Sequence, residues 1–181
     1  MIRGTSVQLR PLDPSDLEAC LRWVNDPEVT RTLAVRYPFS RLQEQEWLET
    51  AARLDPRAGH LTFAIETLDG RPIGSCGIHR VEWENRVCEI GIMIGEKDCW
   101  DQGYGTDAVR TLVRFIFWEM NLNRVELQVF DSNPRAQASY RKCGFVEEGR
   151  KRQAVFKGGR YHDVIIMGLL REEFQAPEAA P

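Results

Sequence analysis

The chain has 181 residues, of which 43% are hydrophobic and 28% charged, the profile of an ordinary globular protein with room for one domain. Its net charge of −3 gives no support to general nucleic-acid binding, which usually needs a basic surface. The first residues contain no apolar signal segment, and no stretch reaches the roughly 18 apolar residues of a membrane span. We therefore expect a cytoplasmic single domain over residues 1–174, followed by a disordered tail over residues 175–181.

The cysteines and histidines do not have the spacing of a metal site, so we expect no metal. The five cysteines are widely spread and include no C-x-x-C pair, which favours free, buried thiols over a disulfide framework. The three histidines are similarly isolated, and each is interpreted as an ordinary surface or strand residue.

The first third of the chain predicts one strand and two helices. An alternation of apolar and polar residues around Val7 predicts a short strand. Asp13 is a typical N-cap, and the helix that follows it ends at Pro27. Ser40 and Gln43 form the capping box of a second helix.

The middle of the chain predicts an antiparallel meander. Residues 61–67 and 73–81 have strand patterns and flank the turn pair Asp69-Gly70. After a second turn, residues 87–95 form another strand.

The period then changes, and the remaining elements alternate between helix and strand. An apolar helical stripe follows Gly103 and Gly105, and after it come a strand, a helix that ends at Gly144, and two final strands. These elements cover residues 109–120, 125–129, 133–143, 145–156 and 161–170. The order predicts a mixed α/β domain.

The loop before the long helix is a candidate anion site. Its sequence from residue 101 is D-Q-G-Y-G-T-D-A. Two glycines allow a tight turn and close approach to a ligand, and the free N–H groups at a helix start suit a phosphate or pyrophosphate. The alternative is that Gly103 and Gly105 only shape the loop.

A dinucleotide site is a second chemical alternative, because Gly103, Gly105 and Ala108 satisfy G-x-G-x-x-A. That fingerprint places its first glycine directly after a strand of a parallel βαβ unit, whereas here seven residues intervene and the strand follows a meander. It also needs an acidic residue about 20 positions on, and Asp131 is too far. A nicotinamide oxidoreductase is therefore disfavoured.

A second motif starts at Asn133 and reads N-P-R-A-Q-A-S-Y-R-K-C-G-F. Together with the glycine loop it resembles the GNAT superfamily of N-acetyltransferases, which carries N-x-x-A-x-x-x-Y-x-x-x-G-F after that loop. The segments E-I-G-I-M-I-G and F-K-G-G-R-Y-H-D-V resemble the branch of RimJ/RimL-type protein acetyltransferases and spermidine acetyltransferases. The resemblance implies a central, mixed, mostly antiparallel sheet of about seven strands flanked by helices. One departure is Trp100, which stands where the superfamily often has Arg or Gln.

The resemblance also implies acetyl-CoA as co-substrate. Backbone N–H groups of the glycine loop would hold the pyrophosphate, a strand edge would pair with the pantetheine arm, and an asparagine would bond the arm. A basic residue of the last helix would meet the adenosine phosphates, unless it belongs to a solvated helix face. The cofactor-binding residues so implied are Gln102, Gly103, Gly105 and Thr106, then Ile92 and Ile94, then Asn133, and last Arg141 (or Lys142).

Amine attack on a thioester needs a neutral amine, a stabilised oxyanion and a proton for the departing thiolate. The resemblance assigns that proton to Tyr140, whose alternative role is a buried helix aromatic. Glu89 is the candidate base, because histone acetyltransferases of the superfamily carry a glutamate on the corresponding strand. Its alternatives are an ion pair with Arg80 or Arg86, or a water chain as base. The oxyanion would be held near Ile92.

The acceptor is expected to be a primary amine: a protein N-terminus, a polyamine or another small amine. Residues 17–54 are expected to line its side, and their aromatic and acidic side chains suit a cation unless they form core and solvated surface. We expect no nucleic-acid or membrane partner, and a homodimer is left open. A CoA-binding sensor without turnover is the alternative from another functional class.

Overall fold

The computed structural model describes residues 1–53 and 59–175. Its elements in chain order are β1 (Ile2–Arg3), β2 (Val7–Pro11), α1 (Leu17–Val24), α2 (Pro27–Thr30), α3 (Arg41–Ala52), β3 (Leu61–Thr67), β4 (Pro72–Glu82), β5 (Val87–Ile94), α4 (Tyr104–Trp118), β6 (Arg124–Phe130), α5 (Pro134–Lys142), β7 (Val146–Lys157) and β8 (Arg160–Leu170). All eight strands belong to one sheet in the order β1-β2-β3-β4-β5-β6-β8-β7. The mixed, mostly antiparallel sheet is confirmed.

The sheet has one strand more than the expected seven because β1 was not predicted. This strand pairs only Ile2 and Arg3 with β2, which is too short for any alternation to be visible in the sequence. The carboxylate of Asp107, in the first turn of α4, accepts hydrogen bonds from the backbone N–H groups of Thr5, Ser6 and Val7. A side chain distant in sequence therefore fixes the turn between β1 and β2.

The strand pair β5–β6 corrects one step of the sequence argument. These strands are parallel and are connected through α4, so a parallel βαβ unit does follow the meander. The pairing joins only Val87–Glu89 to Arg124–Glu126, after which the two strands separate. The separation between Ile94 and Gly103 still places the glycines too far from the strand for a dinucleotide fingerprint.

Helices cover both faces of the sheet. Successive residues of a strand point to opposite faces, and Ile65 belongs to the main core under α4 while Ala64 packs with α3. At the other end of the meander, Met93 packs with α1 and α2 residues around Trp23. The active-site cavity described below is bounded by both layers.

A close contact fixes α1 against the end of β5. A side chain at Gly95 would place its Cβ 2.1 Å from the ring of Trp23, so only glycine allows this approach. The indole of Trp23 donates to Glu96 at 2.8 Å, and Arg22 bonds the same carboxylate.

Several local predictions are confirmed. The capping box of Ser40 and Gln43 starts α3, and α1 ends before Pro27. Asp26 caps the short helix α2, which was not predicted. All five cysteines are free and buried. Leu54 and residues 176–181 of the predicted tail lie outside the described residues. Across the described ranges, no helix has the length and apolarity needed to span a membrane.

Candidate active site

The site begins where the parallel pair opens. Beyond Glu89, β5 stays with β4 as far as Ile94, while β6 stays with β8 as far as Phe130. A cavity of about 860 Å³ fills the wedge between them, and it is lined by β5, β6, the start of α4, α5 and the segment after α2.

Peptide groups of β5 point into this wedge. The N–H of Gly95 donates to Ile73 of β4 at 2.8 Å. Since peptide groups alternate in direction along a strand, those of Ile92 and Ile94 point away from β4, toward the edge that β6 has left. The indole of Trp100 donates to the carbonyl of Ile94 at 2.8 Å. A ligand can therefore form hydrogen bonds with the N–H and the carbonyl of Ile92 and with the N–H of Ile94.

The glycine loop presents a row of N–H groups at the end of the same edge. Gly103 has a φ of 88° and precedes the first turn of α4, a conformation that a side chain would strain. In the described part of the chain, the N–H groups of residues 103–106 donate to no other group, whereas that of Asp107 bonds the carbonyl of Gly103. Unpaired N–H groups and the helix dipole together attract an anion.

The second motif closes the cavity on the α5 side. The side-chain oxygen of Asn133 caps α5 by accepting from the N–H of Ala136 at 3.1 Å, so its amide NH₂ is the group left to donate to a ligand. The hydroxyls of Thr106 and Ser139 lie 2.9 Å apart and join the two helix starts. The loop and the motif thus form a continuous wall.

Tyr140 contributes an unpartnered phenol to this wall. Its side chain is only 6% exposed and packs against Phe145, with the ring centroids 6.0 Å apart. The hydroxyl makes no hydrogen bond with the described residues, and since no buried side-chain oxygen or nitrogen among them lacks a partner, this oxygen is open to the cavity that the side chain lines. Burial, with a smaller contribution from Cys143, raises the pKa of the phenol, which keeps it protonated and able to donate.

Glu89 lies on the opposite side of the wedge and is ion-paired. Its carboxylate is 2.9 Å from the guanidinium of Arg80 and 3.5 Å from the amide of Gln128. Arg80 has a φ of 48° and lies where the β4–β5 pairing is irregular. A β-bulge redirects a side chain in this way, which explains how Arg80 reaches the face of Glu89. The alternative partner, Arg86, bonds Asn121 instead.

The structure brings together all but two of the residues predicted from the sequence. Glu89, Ile92, Ile94, Gly103, Gly105, Thr106, Asn133 and Tyr140 line the cavity. Gln102 and Arg141 do not, since the amide of Gln102 turns back to the carbonyl of Asp98 and Arg141 is exposed. Lys142, the alternative to Arg141, does line it.

The sequence did not reveal the pairing of Trp100 with Arg135. The guanidinium carbon of Arg135 lies 3.8 Å from the centroid of the indole ring, and both residues line the cavity beside the glycine loop. Trp100 was noted only as a departure from a motif, and 35 positions separate it from Arg135. Only the fold brings the two together.

Comparisons with known proteins identify this arrangement. The model of the family described as "Acetyltransferase (GNAT) domain" matches residues 6–146, and these include the glycine loop and the second motif. The chain belongs to the GNAT family of acetyltransferases. As the motifs predicted, this enzyme transfers an acetyl group from acetyl-CoA to an amine.

Relatives of this acetyltransferase match it over nearly its whole length. An uncharacterized N-acetyltransferase p20 of Bacillus licheniformis is 28% identical over 92% of this chain and 93% of its own. A spermidine N(1)-acetyltransferase of Escherichia coli is 27% identical over 97% and 92%. The crystal structure of a spermidine N-acetyltransferase from Vibrio cholerae in complex with CoA and spermine has a TM-score of 0.83 and 25% identity, and the match covers 93% of this chain and 97% of that one. Among the described residues of this acetyltransferase, no group of three or more His, Cys, Asp and Glu could hold a metal ion.

Proposed function

We propose that the wedge between β5 and β6 holds both substrates of the acetyltransferase, with the coenzyme on the α4 side and the amine on the side of Glu89. The observation that carries this proposal is that one cavity is lined by two sets of unpaired peptide groups, at the β5 edge of Ile92 and Ile94 and in the N–H row of residues 103–106. The strand edge suits the amide-containing pantetheine arm, and the helix start suits the pyrophosphate. Residues 1–174 act in this proposal as one domain.

Arg135 adds a cation to the pyrophosphate site. Trp100 holds its guanidinium by stacking, and Arg135 has no carboxylate within 4.0 Å in the described part of the chain. A guanidinium can bond two phosphate oxygens at once. Arg135 thereby supplies the side-chain contact that Trp100, in place of Arg or Gln, cannot make.

The chemistry is direct transfer in one displacement. The neutral amine attacks the thioester carbon while the N–H of Ile92 stabilises the oxyanion. The carbon–sulfur bond then breaks, and Tyr140 donates its proton to the leaving thiolate. Glu89 takes the proton from the amine nitrogen through a water, and solvent later restores both side chains to their starting states. The products are an amide and free CoA.

The protonation state and position of Tyr140 support its role as the acid. A buried phenol with a raised pKa is a weak acid in the resting enzyme, yet it lies beside a developing thiolate in a site with little water. A thiol is a stronger acid than a phenol, so the contribution of Tyr140 is a hydrogen bond that stabilises the poorly solvated charge as it develops on sulfur, with the proton moving as the carbon–sulfur bond breaks.

A reducing compartment is the proposed location. Five free, buried cysteines are typical of proteins that remain in the cytoplasm, where thiols are not oxidised. A homodimer is a further proposal, which sedimentation velocity would test directly.

The test of the proposed function is thiol release from acetyl-CoA in the presence of a panel of primary amines. We expect release that depends on the amine and saturates with it, together with one acetylated product per thiol by mass spectrometry. A CoA-binding sensor would bind acetyl-CoA by calorimetry and release no thiol with any amine. That result would overturn the enzymatic proposal.

A further inference from the structure

A second cavity adjoins the acceptor side of the first. It has a volume of about 840 Å³ and lies between the segment that follows α1 and the turn that joins β7 to β8. Thr32, Arg36 and Lys157 line both cavities, so the two share a wall. No residue of α4 or of the glycine loop lines the second cavity, which therefore lies apart from the proposed pyrophosphate site.

This second cavity is cationic although the chain as a whole carries a net charge of −3. Its described lining includes Arg31, Arg36, Lys157 and Arg160 and contains no aspartate or glutamate. In the described ranges, none of these four side chains has a carboxylate within 4.0 Å, whereas Arg80 and Lys97 are each paired with a carboxylate. His162, which also lines this cavity, contacts the carboxylate of Asp131 at 3.1 Å.

Lys157 has a structural role in the wall that the two cavities share, whereas the arginines remain available to a ligand. Its ammonium donates to the carbonyls of Thr30, Leu33 and Val35, which uses all three of its N–H groups and fastens the segment after α2 to β7. Arg36 is exposed, and one of its N–H groups donates to the carbonyl of Phe156 at 2.8 Å. Unused guanidinium donors therefore remain at the mouth of the cavity.

The acids of residues 17–53 are absent from both linings. Asp26 and Glu28 are paired with Lys97, and Glu44 is a buried residue of α3. The interpretation of this segment as a binding surface for a cation is therefore not supported by the described contacts. A polyamine that presents one neutral amine to the thioester carries its remaining ammonium groups toward Arg36 and Arg31, which repel them.

We propose that the acceptor is the α-amine of a peptide whose next residues are acidic, with the acidic side chains in the second cavity. This inference rests on the proposed function, since it places the amine at the shared end of the first cavity. A free amino acid has its carboxylate one carbon from the amine, so it cannot extend into the second cavity. A peptide can, because its second and third residues continue away from the reacting nitrogen.

The test compares acceptors that differ only in charge. Two peptides with the same N-terminal residue carry Asp-Glu or Asn-Gln at positions two and three, and spermidine and free amino acids complete the set. We expect kcat/KM for the acidic peptide to exceed that for the neutral one by about tenfold or more, since each charge-assisted contact contributes about that factor. The preference should shrink at about 1 M salt, where the Debye length is about 3 Å.

The variants Arg31→Gln and Arg160→Gln connect the preference to the cavity. Each should lower kcat/KM for the acidic peptide by about tenfold, mainly through KM, and reduce the ratio of acidic to neutral peptide. Arg53→Gln is the matched control, because Arg53 is exposed, lines neither cavity, and within the described ranges pairs with Glu49 on α3. It should change neither rate.

The outcomes separate this inference from the proposed function. Equal rates for the two peptides, or a preference for spermidine or a free amino acid, overturn the inference and leave the acetyltransferase proposal intact. Absence of thiol release with every amine overturns the proposed function. In that case calorimetric titration of both peptides into the protein saturated with CoA still tests the inference, and equal affinities would refute it.

Discussion

Replacing the proposed acid gives the sharpest test of the site. Tyr140→Phe keeps the ring that contacts Phe145 and removes only a hydroxyl that opens onto the cavity and makes no hydrogen bond with the described residues. No buried group loses a partner, so the free energy of unfolding should change by less than about 1 kcal/mol. Loss of a general acid costs about 10²- to 10⁴-fold in rate, or about 2.7–5.4 kcal/mol in the barrier at about 1.36 kcal/mol per decade.

The assay is single-turnover acetyl transfer with enzyme in excess, so that the chemical step is measured rather than product release. Calorimetry with acetyl-CoA should give nearly the same affinity for both proteins, because the hydroxyl acts on the leaving sulfur. Burial raises the pKa of Tyr140, so its acid form persists up to and beyond the ordinary value of about 10. The wild-type rate should therefore show no alkaline decline from this group below about pH 10. Tyr161→Phe is the control and should be silent, because the side chain of Tyr161 is 63% exposed at the start of β8.

A mutant that transfers acetyl at more than about a third of the wild-type single-turnover rate would refute the role of Tyr140 as acid, since even a weak general acid contributes more than that. The tyrosine would then be a packing residue of the cavity wall.

Three further substitutions test the remaining parts of the site. Gly105→Glu should lower acetyl-CoA affinity by about 100-fold, because the carboxylate would occupy the anion site. The fold should survive, since the new Cβ would meet Ile94 at an ordinary 3.6 Å, and Gly105→Ala is the calorimetric control. Arg135→Gln should weaken acetyl-CoA about tenfold, Arg135→Lys should restore part of that loss, and identical affinities for all three proteins would contradict a phosphate contact. Asp107→Ala should lower the free energy of unfolding by about 1–3 kcal/mol, and the Tm by roughly 3–10 °C in a thermal melt, because three backbone N–H groups lose their acceptor.

The sequence predicted the elements whose signals are local. The stripe of α4, the alternation of β6 and the capping box at Ser40 each depend on neighbouring residues, and each is confirmed. The glycine loop and the second motif also identified one wall of the cavity, since each motif is continuous in the chain.

Features that depend on distant contacts could not be predicted in this way. β1 exists through two paired residues and the carboxylate of Asp107, about 100 positions away, and neither leaves a periodic pattern. The stack of Arg135 on Trp100 and the cationic cavity combine segments that the fold alone brings together. The net charge argued only against a general basic surface, and a total of −3 cannot show where a local group of arginines lies.

The role of Glu89 depends on how its ion pair competes with proton transfer. Arg80 holds the carboxylate at 2.9 Å but is itself 72% exposed, so the pair contributes only about 0–1 kcal/mol to stability and can rearrange around a water. If Glu89 accepts the proton of the amine, Glu89→Gln keeps the size and hydrogen bonding of the side chain and loses that function. The single-turnover rate should then fall at neutral pH, and part of the loss should return as pH rises, since more of the amine is already neutral. Arg80→Gln separates the two roles, because it breaks the same ion pair and leaves the carboxylate in place. If Glu89 is the base, the profile of rate against pH changes for Glu89→Gln alone. If the ion pair is purely structural, both variants lose the same small amount of stability and their pH–rate profiles are unchanged. Profiles of wild-type shape and height in both proteins would assign the proton to a chain of waters.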